Sequence, residues 1–597
     1  MSFLQLLREV KKLLKRQDFF KLITLVILSV CVAAFEVIGL GSVPVLLNFA
    51  LIPESIEEFP TVYNWLAERD LLETNKLFLY GSIAIVGVFI FKGSLKIFVD
   101  YLQIKFLRRK QVEVGLELHK RYLNANYIQI VGANSAELIR NVRYEVTYIF
   151  SKVLIPLFLI TNALITVGIV MSSILIVEPV ITTVIVVFLV ISVITFNVLF
   201  KKVLSKSGEI LQELREKLLT FLYHDLNGTK AIRVANVEDF FEERFKKSNQ
   251  YFANVQAKLD VLNRVPGSYL EVIAVLSLLG MMAILLMTTT EQEDILAVAI
   301  FMGLALVRLR TYFGQILAQL NLIQSYKASL TPVINDLFSD DWKKSYRGND
   351  QLESFEELTL QNVYFSYNQD DDILKDISLS IKKKEIIGFA GGSGGGKSTL
   401  IDCILGLLVP RKGEVLINGT SVFEVLTSWY DMIGYVPQSI SMIDGTIEEN
   451  IALGVEKEAV DQGLINEVLQ KAQLSEFIAN QPDGVLTQVG ENGALLSGGQ
   501  KQRIGIARAL YRCPQVLILD EATSALDNDI ERQFLQDLFE HNDLTIIMIA
   551  HRLTTLENCD RIYIMEQGEV TDIGTYETLR MTHSLFMKHD QDNSQSS

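Results

Sequence analysis

The run Gly391, Gly392, Ser393, Gly394, Gly395, Gly396, Lys397, Ser398 and Thr399 is a place where residue types and spacing in this chain could do chemistry. Glycines let consecutive backbone N–H groups turn inward around an anion. An apolar stretch, 385–390, precedes the loop and a helix-prone run, 400–408, follows it. The loop therefore opens onto a helix N-terminus, whose dipole favours a phosphate. In that context Lys397 reaches the β- and γ-phosphates and the Ser398 hydroxyl binds Mg2+, so the ligands implied are ATP and Mg2+. A merely flexible glycine-rich loop does not need the Gly-Lys-Ser ending. The loop holds more glycine than phosphate binding requires, and Gly392 and Gly395 are read as adding flexibility.

A second apolar strand, 516–519, ends in Asp520 and Glu521. A buried strand that terminates in two carboxylates needs a reason. Beside a phosphate loop the reason is chemical: Asp520 can hold Mg2+ through water, and Glu521 can accept a proton from the attacking water.

These residues need elements to position them, and composition says of what kind. The chain has 597 residues, 49% hydrophobic and 21% charged, with a mean hydropathy of +0.28. That is too apolar for an ordinary soluble protein and too charged to lie wholly in a bilayer, so a membrane part joined to a soluble part is expected. A formal net charge of −15 argues against nucleic acid as a partner. Cys31, Cys403, Cys513 and Cys559 are scattered without metal spacing, so neither a disulfide nor a cysteine-held metal is expected.

Six runs have the length and apolarity of membrane spans: 20–51, 77–99, 154–177, 180–200, 269–287 and 295–316. The first is too long for a secretory signal and is read as an uncleaved helix. Lysines and arginines flank the first span on its N-terminal side and follow the second and fourth, whereas acidic residues fill the stretches after the first and fifth. Both termini are therefore expected in the cytosol. The stretches 101–150 and 201–266 are charged and almost free of Pro and Gly, so each is read as two membrane helices extended into the cytosol, with a small transverse helix at about 120–130 and 222–232. Residues 63–66 suggest a short amphipathic helix on the outer side. Glu36, Lys92, Glu271, Arg308 and Arg310 fall in or near the spans, where charge is expensive. They are read either as structural ion pairs and snorkelling groups or as a cavity for a polar or anionic head group. The division expected is a transmembrane domain at 1–330, a linker at 331–353, an α/β P-loop domain at 354–590 and a disordered tail at 591–597.

The segment Leu496, Ser497, Gly498, Gly499 and Gln500, followed by Lys501 through Leu510, resembles the signature motif of the ATP-binding cassette transporters, and the resemblance covers nearly the whole chain. It implies a type I exporter-like helical domain of six transmembrane helices followed by an ATP-binding cassette domain. It implies that Tyr367 stacks on adenine, that Gln438 contacts Mg2+ and senses the membrane domain, that Asp527 lies in a loop crossing to a partner, and that His551 contacts the γ-phosphate. Ser497, Gly498, Gly499 and Gln500 would bind the ATP held by the P-loop of a second subunit. With one P-loop and one signature per chain, a homodimer is implied. Gln488 and Asn492 stand where many exporters carry Glu and Arg.

The order of the domains resembles exporters rather than importers. The stretches 35–44, 265–271 and 305–309, with the acidic outer helix, resemble bacterial flippases for lipid-linked oligosaccharides. That resemblance implies residence in a bacterial inner membrane and positive cavity residues for a pyrophosphate, with Arg308 and Lys92 at such positions and Gly267 where a further arginine is expected. Export of peptides or hydrophobic drugs is one alternative, and an ATP-gated channel or regulator without uphill transport is another. A soluble cassette ATPase of DNA maintenance is excluded by the six apolar runs and the acidic balance.

Overall fold

The computed structural model describes residues 3–587 apart from 52–55, 58, 70, 178, 289–291, 343–347, 349, 369–370, 524–527, 541–542 and 551. The chain divides into two compact units, 1–125 with 129–344, and 126–128 with 345–597.

The first unit is helical. α1 (Phe3–Lys12) buries Leu6 and Val10 while Leu4 stays exposed, and its last turn carries Lys11 and Lys12 against the negative end of the helix dipole. α2 (Arg16–Leu51), α3 (Pro60–Ala67) and α4 (Thr74–Leu123) follow. Among the described residues three helical stretches are long and apolar enough to cross a membrane, Arg16–Phe49, Thr74–Leu123 and Ser135–Ser173. Only 11% of the most apolar window of the second is buried. Ile83, Val86, Ile90 and Ile97 point outward from it, which suits a lipid solvent and would be costly in water.

At 50 residues α4 is about 75 Å long, far beyond the ~30 Å of a hydrocarbon core. It runs on to Leu123, where Asn124 ends it by donating from its side chain to the Lys120 carbonyl at 2.6 Å. The short helix α5 (Tyr127–Gly132) therefore begins later in the chain than the sequence reading placed it. A segment of alternating geometry leads back: α6 (Ser135–Arg140), a π-helical stretch Asn141–Glu145, α7 (Val146–Tyr148), a second π-helical stretch Ile149–Leu154, and α8 (Ile155–Val177). α9 (Pro179–Asn227) repeats the long design and breaks only at Gly228, so the second short helix, α10 (Thr229–Val234), is also displaced toward the C-terminus. α11 (Glu238–Thr288) and α12 (Gln292–Tyr326) complete the long helices. The apolar runs 180–200, 269–287 and 295–316 lie on α9, α11 and α12.

The stretch read as a linker, 331–353, begins as ordered structure. α13 (Leu330–Phe338) buries Leu330, Val333, Ile334 and Leu337 in one cluster with Leu6 and Val10 of α1 and with Leu107 and Leu118 of α4. Its apolar positions share a helix face, and that face was worth burying. Asp336 on the same helix accepts hydrogen bonds from Tyr122, from Asn141 at 2.8 Å and from the Trp342 indole at 3.1 Å.

The second unit is built on two sheets. β1 (Glu357–Phe365), β2 (Leu374–Lys382), β4 (Lys412–Ile417) and β5 (Thr420–Ser421) form an antiparallel sheet in the order β2-β1-β4-β5. β3 (Ile386–Ala390), β6 (Ile433–Val436), β7 (Val516–Asp520), β8 (Thr545–Ile549), β9 (Arg561–Glu566) and β10 (Glu569–Gly574) form the other, in the order β10-β9-β3-β8-β7-β6. Every pairing in that second sheet is parallel except β9 with β10. Its central strands β7 and β8 are buried along their whole length, which explains their unbroken apolar sequences. In a parallel α/β sheet, ligands bind beyond the carboxyl ends of the strands, and β3 and β7 lead there to the glycine loop and to the two carboxylates.

Candidate functional site

The glycine loop leaves β3 at Ala390 and enters α14 (Lys397–Ile404) at Gly396. Gly391, Gly394 and Gly396 have φ of +140°, +80° and +92°, a region that side chains disfavour. A Cβ at Gly391 would stand 2.1 Å from the carbonyl oxygen of Met565. Gly395 corrects the sequence reading. A Cβ there would stand 2.8 Å from the same carbonyl, so this glycine is required by a close backbone approach from β9 and is not a source of flexibility. At Gly392 the equivalent space is open.

Lys397 is buried, and its ammonium donates to the carbonyls of Gly391 and Gly392, each at 2.9 Å. Burial lowers its pKa, while the charges of Glu521 and Asp520 work the other way. The amine thus closes the loop on itself and stands ready to exchange two neutral carbonyls for a phosphate. Ser393 is exposed on the loop and Ser398 on the first turn of α14, and Thr399 is half-buried.

Asp520 ends β7 and is buried. Its pKa is pushed up to about 6, by burial first and by Glu521 second, against opposing effects of Lys397 and a hydrogen bond from Tyr435. Oδ1 of Asp520 is buried without a hydrogen-bond partner. A desolvated, unsatisfied carboxylate oxygen beside a phosphate loop fits a divalent cation. Glu521 has φ of +52°, and its N–H donates to Ile549 at the end of β8 at 3.1 Å. That left-handed turn swings its side chain toward Gln438, whose Nε2 donates to Glu521 Oε2 at 2.5 Å. The structure therefore joins three of the sequence-derived groups, Lys397, the Asp520–Glu521 pair and Gln438. Tyr367 lies exposed past the end of β1, edge-on to Phe365 with ring centroids 5.0 Å apart. Asp527 and His551 lie outside the described residues.

Ser497 caps the signature helix, Gly498–Tyr511. The Gln500 N–H donates to Ser497 Oγ at 3.3 Å, and the Ser497 N–H donates to Gln500 Oε1 at 2.8 Å. This reciprocal capping box fixes the helix start, so Gly498 and Gly499 present the free N–H groups of its first turn. Lys501 donates to the Asn492 carbonyl at 2.8 Å, which ties that turn to the segment before it.

Two groups escaped the sequence reading. Arg508, on the signature helix, donates to the Asn450 carbonyl at 2.7 Å, to its side chain at 3.0 Å and to the Ser441 carbonyl at 2.9 Å. Asn450 is fully buried and itself bonds the backbone of Ile443 and Thr446. The segment that follows Gln438 is thereby fastened to the signature helix. An arginine on the otherwise apolar face of 504–510 was the available signal. Asp402, on α14, has its pKa pushed up to about 6 by burial and by Asp520.

In the first unit, Lys92 and Glu36 form a buried ion pair at 2.6 Å, and Arg308 Nε stands 3.4 Å from the other Glu36 oxygen. Glu271 pairs instead with Arg310 at 3.2 Å, where both are exposed. The four candidate cavity residues are thus not one cluster, and Lys92 carries its charge against Glu36.

Together these features define a P-loop ATPase domain fused to a helical membrane domain. The family description "ABC transporter" matches residues 374–524, and "ABC transporter transmembrane region" matches residues 68–318. The chain belongs to the ATP-binding cassette transporters, as a half-transporter with both domains on one polypeptide. It is 37% identical over 260 residues to the "Multidrug resistance ABC transporter ATP-binding and permease protein" of Lactococcus lactis subsp. lactis, covering 43% of this chain and 44% of that protein. It is 41% identical over 224 residues to the "ATP-dependent lipid A-core flippase" of Saccharophagus degradans, covering 37% of this chain and 38% of that one. The match thus spans less than half the length of these curated relatives. Among solved structures, a bacterial Atm1-family exporter with ATP bound has the same fold, with a TM-score of 0.79, 21% identity, and coverage of 97% of this chain and 99% of that one.

Proposed function

We propose that this chain is one half of an ATP-driven exporter that pairs with a second copy of itself and moves a lipid-linked oligosaccharide or related glycolipid across a bacterial inner membrane, with both termini in the cytosol. The observation that carries the ATPase reading is the contact of Gln438 with Glu521 at the end of β7, beside the P-loop lysine. In this reading Glu521 takes the proton of the attacking water, and Lys397 neutralises the β- and γ-phosphates. Mg2+, held through Ser398, Gln438 and Asp520, supplies charge neutralisation of those same oxygens when bound. Tyr367 stacks on the adenine, and His551 contacts the γ-phosphate. Ser497, Gly498, Gly499 and Gln500 offer a capped helix N-terminus to the nucleotide of the partner, and Asp527 lies in the crossing loop. A single chain owns one of each half-site, so closure needs two chains.

Nucleotide binding draws the two ATPase domains together, and the long helices α4, α9 and α11 carry that closure to the membrane domain. Hydrolysis resets it. The glycolipid cargo is supported by the polar and ionisable side chains inside the membrane helices, which an apolar cargo would leave unused. A second reading, export of peptides or hydrophobic drugs, is favoured on its drug side by the name of the Lactococcus relative.

The test is reconstitution in liposomes. ATPase activity stimulated by a polyprenyl-pyrophosphate glycan, with flipping abolished in Glu521→Gln and in Lys397→Ala, supports the first reading. Stimulation by amphiphilic dyes alone supports the second.

A further inference from the structure

Within the first unit, α2, α4, α8 and α12 enclose a cavity of about 250 Å3. Its wall is unusually polar for the interior of a membrane bundle. α8 contributes Asn162, and α12 contributes Gln315 and Gln319. Among the described residues neither Gln315 nor Gln319 is held by a hydrogen bond inside the protein. The Gln103 side chain bonds both Ser29 at 3.0 Å and Asn162, to which it donates at 3.3 Å and from which it accepts at 2.9 Å. That bridge fixes the amide of Asn162 at the wall.

The charges at this wall are paired. Glu36 faces the cavity and is matched by Lys92 at 2.6 Å and by Arg308, 3.4 Å from its other oxygen. Asp100 and Lys96 stand one helical turn apart on α4, the spacing at which opposite charges offset each other. The further cation, Arg308, lies about two helical turns before Gln315 on α12, away from Gln315 and Gln319. Side-chain amides donate and accept at once, and hydroxyl and acetamido groups do the same. An apolar ligand would leave the amides of Gln315 and Gln319 desolvated and unpaired, which is costly.

Building on the glycolipid reading above, we infer that this cavity is a saccharide subsite: it takes a neutral, hydroxyl- and acetamido-bearing sugar unit of the cargo through Asn162, Gln315 and Gln319, and leaves the pyrophosphate to be bound elsewhere.

The experiment uses the full chain in nanodiscs, with N,N′-diacetylchitobiose as the soluble probe and saturation-transfer NMR as the readout. Wild type is expected to bind the probe without displacement by inorganic pyrophosphate, and the Gln315→Leu/Gln319→Leu double variant to lose at least tenfold in affinity. Thr166→Val, a near-isosteric change at the same wall, is expected to weaken binding to a smaller degree and guards against misfolding of the double variant. Absence of probe binding to wild type overturns the inference, as does equal binding by wild type and all variants or displacement by pyrophosphate. The reading on which it rests fails separately. If wild type flips no polyprenyl-linked glycan yet binds the probe through these residues, the subsite stands and the cargo assignment falls. If flipping is intact and equal in all variants, the cargo assignment stands and the subsite falls.

Discussion

Gln438 Nε2 donates a 2.5 Å hydrogen bond to Glu521 Oε2, across 83 residues of sequence. The amide that ends the segment after β6 is thereby in direct contact with the carboxylate that follows β7. A proton acceptor held this way is oriented before any nucleotide arrives. Movement of the 438–450 segment, itself fastened to the signature helix through Asn450 and Arg508, would be felt at the carboxylate.

Glu521→Gln removes the proton acceptor while keeping the size of the side chain. ATP turnover should fall at least ~100-fold, the usual contribution of a positioned general base, with nucleotide affinity nearly unchanged. Steady-state hydrolysis together with binding of a fluorescent ATP analogue measures both.

Gly395→Ala and Gly392→Ala should part company, although both glycines sit in one loop. The first drives a Cβ to 2.8 Å from the Met565 carbonyl, and the second meets open space. Nucleotide affinity should drop at least tenfold for Gly395→Ala and change less than threefold for Gly392→Ala. Calorimetric titration of ATP into each variant checks the contrast.

Glu36→Ala strands the ammonium of Lys92, which is 8% exposed. Breaking a buried pair from one side costs about 3–5 kcal/mol. The melting temperature of the purified protein should fall clearly in Glu36→Ala, and the Glu36→Leu/Lys92→Met double variant should recover most of it.

Asp520 sets a pH dependence in the nucleotide-free protein. Its pKa is raised in the folded state, from 3.8 to about 6, so the folded protein binds the proton more tightly than the unfolded one. Stability is therefore favoured at low pH, declines as pH rises from about 4 to about 6, and the cost is fully present above that. Asp520→Asn should stabilise the ATPase domain by roughly 2–3 kcal/mol at pH 7.5 and by little at pH 4. Thermal unfolding at the two pH values gives the sign, and Mg-ATP should cancel the wild-type penalty.

Much of this protein could be read from its residues because the relevant signals are local. The glycine loop between strand and helix, the two acids after an apolar strand and the signature motif at 496–500 each lie within about ten residues of chain. Backbone sterics and helix-end hydrogen bonding act over that range. The long apolar runs announced membrane helices for the same reason, since a bilayer makes its demand on each segment separately.

What only the tertiary structure decided are relations between distant segments. The reason Gly395 must be glycine is a carbonyl at Met565, 170 positions away, which loop composition alone could not reveal. That Lys92 serves Glu36, and that α13 belongs to the helical core and not to a free linker, depend on which faces meet once the helices pack. Type and spacing fix which groups are available, whereas the partner of each buried charge is chosen by desolvation, which exists only after the chain has closed around it.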